Sequence, residues 1–114
     1  MKRIEAFIQS DKLQAVVAAL GKVGLGGFTV INSRGQGQGQ RPMVEGSRGT
    51  GRHIAEFNSI DTVITIVDDA KVNDIVSLIA NEASTGSKGD GKIFVSNIES
   101  ATDIGSKQTG SSAL

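Results

Sequence analysis

Apolar and polar residues alternate over residues 2–9, with Ile4, Ala6 and Ile8 falling on one side, which is the period of a half-buried strand. The pattern then turns helical: Leu13, Val16, Val17, Leu20 and Val23 recur along one stripe. Ser10 or Asp11 is expected to cap this helix by accepting a bond from a free amide, and Gly24 to end it in the left-handed conformation. A second strand is expected from about Phe28 to Ser33 and a third from Phe57 to Val67. In the third, Ile60, Thr62, Ile64 and Ile66 share one face while Val63 and Val67 occupy the other. A strand apolar on both faces is covered on both faces. One chain of this size has too few layers for that, so another subunit is expected to cover part of the sheet. Asp68 and Asp69 read as caps of a second helix with the stripe Val72, Ile75, Val76, Ile79 and Ala83, and a last strand follows from Lys92 to Ile98.

The element order is β-α-β, a long connection, then β-α-β. That predicts an α+β fold, a ferredoxin-like β-α-β-β-α-β sandwich, as a single domain over residues 1–114. The connection, residues 34–56, differs in kind from the rest. Six glycines, four arginines and the only proline leave few apolar side chains to repay the entropy of ordering it. Loops of that length inside a small domain are usually functional or disordered, and a mobile binding arm is the expectation. Residues 99–114 read as a polar tail.

Composition narrows the function classes. Twelve basic residues balance twelve acidic ones, so the clustered excess that marks a nucleic-acid or anionic-membrane surface is missing. There is no cysteine, hence no disulfide frame and no thiolate metal site. No long apolar run suggests a leader or a membrane span. A soluble cytoplasmic protein, with no membrane insertion and no nucleic-acid partner, is the expectation.

The chemistry concentrates in residues 84–92. Gly86, Gly89 and Gly91 are interleaved with Ser87, Lys88, Asp90 and Lys92, just before the last strand. Successive amides in such a turn converge into a concavity that holds an anion, and two lysines add charge. The bland alternative is a glycine-rich turn between a helix and a strand. Thr85 followed by Gly89-Asp90-Gly91-Lys92-Ile93-Phe94-Val95 resembles the C-terminal signature of the PII signalling proteins, the nitrogen regulatory family. Met1-Lys2-Arg3-Ile4-Glu5-Ala6, Gly27-Phe28-Thr29-Val30, the pair Gly35 and Gly37, and the length extend the resemblance to nearly the whole chain.

That resemblance implies a homotrimer with an adenine nucleotide (ADP, AMP or ATP) in each intersubunit cleft. It places Gly86, Ser87, Lys88, Gly89, Asp90, Gly91 and Lys92 on the phosphates. Thr29, Gly35, Gln36, Gly37 and Gln38 fall at the adenosine end, with Ile66 walling the base. Gln36, Gln38, Gly39 and Gln40 are candidates for coupling the ligand to the long loop. The implied targets are a membrane transporter, such as one for ammonium, or a metabolic enzyme, in nitrogen or carbon metabolism, and a divergent PII-like member is the expectation.

The departures from the family pattern are specific. Its two phosphate-binding arginines match Asp103 and Gly105, which predicts a preference for ADP or AMP over ATP, or weak affinity overall. Its magnesium-coordinating glutamine matches Gly39, flanked by Gln38 and Gln40, which leaves magnesium an open alternative. The cations expected around 2-oxoglutarate match Ile60 and Gln9, so tight binding of that ligand is not expected. The tyrosine that is modified in many members has no counterpart, His53 standing in its place. Thr50, in Arg48-Gly49-Thr50, is a candidate modification site. A metal role for His53 is a minor alternative, and no metal site is assigned.

Two other functions fit the element order less well. An RNA-recognition module stacks bases on aromatic residues, and this chain has four phenylalanines and no tyrosine or tryptophan. A weak nucleotide hydrolase would need a positioned base, for which Asp90 is the only suggestion. The chain is therefore read as a regulator without catalytic residues.

Overall fold

The computed structural model describes residues 1–37, 39, 43–45, 52–54 and 57–114. Its elements are β1 (Lys2–Gln9), α1 (Leu13–Lys22), β2 (Thr29–Gly35), β3 (Met43–Glu45), β4 (Arg52–Ile54), β5 (Asn58–Val67), α2 (Val72–Ala83) and β6 (Gly91–Asn97). β1 lies inside the sheet because both its edges are taken, by β5 on one side and β6 on the other, each antiparallel. β2 adds to the outer edge of β5, giving the order β2-β5-β1-β6. With the two helices this is the α+β ferredoxin-like arrangement that the element order predicts.

Register explains which residues are buried. Ile4 faces Thr65 and Ala6 faces Val63, so their side chains share one side of the sheet. On that side lie the stripes of α1 and α2. Ile4, Ala6, Ile8, Val63 and Val67 meet Val16, Leu20, Ile75, Ile79 and Ala83 in one cluster. Each large aliphatic side chain there is worth about 1.5–3 kcal/mol against leaving it in water. Thr65 is buried among them because its hydroxyl donates to the Gly27 carbonyl at 2.7 Å. Asp61 is likewise buried, accepting from Asn32 Nδ2 at 2.8 Å.

Neither helix covers the other face. Ile60, Ile64 and Ile66 lie there half-buried beside Phe7, and Ile31 and Phe94 are 49% and 55% exposed. Phe7 and Phe94 meet edge to face at 5.9 Å.

Three expectations need correction. Neither Ser10 nor Asp11 caps α1, and neither Asp68 nor Asp69 caps α2 through its side chain. A 3-10 turn precedes each helix (Ser10–Lys12 and Asp69–Lys71), and its main-chain bonds satisfy amides that a side-chain cap would serve. The Ser10 hydroxyl instead meets that of Ser59 at 2.9 Å, and Asp69 binds the Met1 amino group at 2.9 Å. Second, the long connection contains two strands that its composition did not reveal, β3 and β4, paired antiparallel. Around them, the expected mobility of 34–56 and the roles given to Gln38, Gln40 and Thr50 lie outside the described residues. Third, the polar tail is folded. Thr102 bridges Thr109, Gly110 N–H donates to Ala101 at 3.0 Å, and a 3-10 turn (Gly110–Ala113) brings Leu114 against Gly26.

Gly24 does end the first helical segment, at φ +67°. β2 runs to Gly35, beyond the expected Ser33, and its last residues pair with Ser59 and Asn58. The Arg34 guanidinium lies 5.6 Å from the Phe57 ring centre, so the two ends of the long connection also touch through side chains.

A glycine-loop cleft at the end of the sheet

α2 stops at Ala83, and the chain has seven residues in which to turn back into β6. Asp90 organises the turn. Its carboxylate accepts the Thr85 amide at 2.7 Å, the Thr85 hydroxyl at 2.5 Å and the Gly86 amide at 3.1 Å. These bonds, that of the Thr85 hydroxyl first, hold its carboxyl below the usual carboxylate range. Asp90 therefore spends its charge on the loop's own amides and hydroxyl.

Gly91 is required where the loop enters β6. Its φ is +121°, and a Cβ there would collide with the Phe7 carbonyl oxygen of the neighbouring strand. Gly89, at φ +88°, is held from two directions. Gln9 Nε2 donates to its carbonyl at 2.8 Å, and Gly39 packs against it backbone to backbone.

Together these contacts shape a cleft of about 550 Å³. One wall is Gly35, Gln36, Gly37 and Gly39 at the end of β2; the other is Ser87, Lys88, Gly89, Asp90, Gly91 and Lys92. Phe7, Ile8, Gln9, Asn58, Ile60 and Phe94 complete the lining. Lys88 and Lys92 are exposed, and among the described residues neither is in an ion pair. Two ammonium groups and an apolar floor suit an anion joined to a flat apolar group.

Ten of the residues that the resemblance assigns to the nucleotide or to loop coupling thus meet in one place, together with Gln9 and Ile60. Gly86 is set back from the wall, its amide committed to Asp90. Thr29 and Ile66 are not brought there by this chain. Thr29 pairs with Ile64 and Ile66 with Arg3, while the cleft is at the Asn58–Ile60 end of β5. The six-residue step along the strand from Ile60 to Ile66 spans roughly 20 Å. Asp103 is also engaged elsewhere: it accepts the Ser106 amide and hydroxyl, both at 2.7 Å, and these bonds lower its pKa. Among the described residues no three acidic or histidine side chains gather to hold a metal ion. No helix of the described residues is long and apolar enough to cross a membrane.

Phe7, Ile8, Asn58 and Phe94 were missed as lining residues. The signal for them is register: once Gly91 is set opposite Ile8, the neighbouring pairs follow.

Fold and cleft together define a ferredoxin-like protein with a glycine-rich, lysine-bearing loop beside the end of its second strand. Sequence comparison places it more closely. The family model for nitrogen regulatory protein P-II matches residues 1–108. A nitrogen regulatory protein P-II of Porphyra purpurea is 41% identical over 114 residues, all of both chains. One from Rhizobium meliloti (strain 1021) is 40% identical over the same span. A "nitrogen fixation nifHD region GlnB-like protein 1" of Methanothermococcus thermolithotrophicus is 36% identical over 110 residues, 96% of this chain and 99% of its own. The chain belongs to the nitrogen regulatory protein P-II family.

Proposed function

We propose that the protein is a regulator of nitrogen metabolism that senses an adenine nucleotide and is not an enzyme. It works as a homotrimer, with ADP or AMP in a cleft between adjoining subunits, and acts on a transporter or metabolic enzyme through residues 34–56. The observation that carries this reading is the cleft, in which the glycine loop, Lys88 and Lys92 face Gly35–Gly37. A second supports the assembly. Thr29 and Ile66 lie at the far end of the sheet, so they would reach a nucleotide only on a neighbouring copy, and the bare face carrying Ile31 and Phe94 is available for that contact.

The preference for a shorter phosphate chain follows from Asp103, which stands where the family's pattern supplies a cation and is turned into its own hairpin. Tight 2-oxoglutarate binding is disfavoured for a related reason. Ile60 packs so closely on Gly35 that a Cβ there would lie 2.5 Å from its Cδ1, and Gln9 is tied to Gly89. An RNA platform would need aromatic rings on both inner strands, and β5 carries none.

Thermal shift with AMP, ADP, ATP, cyclic AMP, bicarbonate and 2-oxoglutarate tests the ligand. A nucleotide at a hundredfold excess over its Kd is expected to stabilise the native state by about 2.7 kcal/mol. Light scattering tests the assembly. No shift with any nucleotide, or the mass of one chain, would overturn the corresponding half.

A further inference from the structure

Gly89 is the most constrained point of the cradle. Gln9, at the end of β1, donates to its carbonyl at 2.8 Å. On the other side lies Gly39, which belongs to the chain leaving β2. A Cβ on Gly39 would sit 2.8 Å from the Gly89 Cα and 3.1 Å from the Lys88 carbonyl oxygen; one on Gly89 would sit 2.5 Å from the Gly39 Cα. Such distances exist only where both residues lack a side chain.

We infer that Gln9 and Gly39 are positioning residues that clamp Gly89 between them, so that the anion-binding loop and the chain leaving β2 move as one body. A ligand on the loop is then felt at the end of β2 through main-chain contact, with no second ligand or metal as intermediary. The two positions divide the work. Gln9 anchors the loop to β1, deep in the sheet, and fixes the direction of the Gly89 carbonyl. Gly39 transmits any displacement of Gly89 toward the long connection. Gly39→Ala tests the contact directly, because the added Cβ would meet the Gly89 Cα and the Lys88 carbonyl oxygen.

The clamp does not depend on what the ligand is; its use as a relay rests on the nucleotide reading. Amide hydrogen exchange over the β3–β4 pair (43–45 with 52–54) and over 85–92 tests both, because residues 35–37 line the cleft and a ligand would protect them by direct contact. Without ligand, Gln9→Met and Gly39→Ala are each expected to speed exchange in 85–92 about tenfold, the loss of one hydrogen bond or its equivalent in contact. Gln9→Lys, which restores a donor, should return it toward wild type, and circular dichroism reports whether each variant folds. Added ADP should slow both segments in wild type but only 85–92 in Gly39→Ala. Wild-type exchange in both ligand-free variants would overturn the clamp. ADP protection confined to 85–92 in wild type would overturn the relay. If ADP protects neither segment, the nucleotide reading fails, and the ligand-free comparison still decides the clamp.

Discussion

Asp90 accepts both the amide and the hydroxyl of Thr85, five residues earlier, and so closes the glycine loop on itself. The loop's shape thus exists before any ligand arrives. Asp90→Asn keeps the size but puts an NH2 donor where the carboxylate accepts. The expected outcome is a lower melting temperature and at least about a tenfold weaker nucleotide affinity, read by calorimetry.

The same carboxylate sets a pH dependence. Its folded pKa is depressed, so its contribution is complete above the unfolded value, about 4, and is lost as pH falls through the folded one. Acid unfolding of wild type and Asp90→Asn should therefore differ most at neutral pH and converge as the pH falls below the depressed folded value. Parallel curves throughout would count against this role.

Gly91→Ala is expected to be more damaging than its size suggests. The left-handed backbone alone costs about 1–3 kcal/mol for a residue with a side chain. The collision with the Phe7 carbonyl adds to that by prising β6 from β1. Urea unfolding measures it, and a loss under about 1 kcal/mol would show that the turn relaxes freely.

Ile31→Asp separates assembly from folding. Ile31 is half exposed on the edge strand β2 and away from the cleft, so in a lone chain the change should be nearly neutral, within about 0.5 kcal/mol. In a trimer that buries this face it is expected to shift the particle toward single chains by light scattering. An unchanged mass would mean the face is not the interface.

Titration of 2-oxoglutarate in the presence of Mg-ATP is expected to show no micromolar affinity. Each missing cation removes a charge-assisted bond of about 1.5–3 kcal/mol. Tight binding would show that Gly89 and its neighbours rearrange to admit a dianion.

How much of this was legible in the residues depends on whether side chains did the work. β1, β5 and both helices were readable because burial imposes a period on Ile4, Ala6 and Ile8, or on Val16, Leu20, Ile75 and Ile79. The glycine loop was readable because positive φ and close approach leave few alternatives to glycine. The helix starts were misread: a short 3-10 turn satisfies the same amides as a serine or aspartate cap and leaves no distinct pattern. The tail hairpin is held chiefly by main-chain bonds, although Asp103 and Ser106 at three-residue spacing carried a hint of its turn. The contact between Gly39 and Gly89 had no side chain to announce it. Thr29 and Ile66 could be linked to the cleft only through a resemblance, since their own chain holds them at the other end of the sheet.

The contact of Arg34 with Phe57, backed by the pairing of Gly35 with Asn58, has an evolutionary consequence. The sheet and the clamped ends fix where the intervening segment leaves and returns, whatever lies between. Doubling the length of such a closed excursion costs only about 0.6 kcal/mol in chain entropy. Insertions and deletions there are cheap to the domain, so the segment can be rewritten while the scaffold that holds its two ends is inherited unchanged.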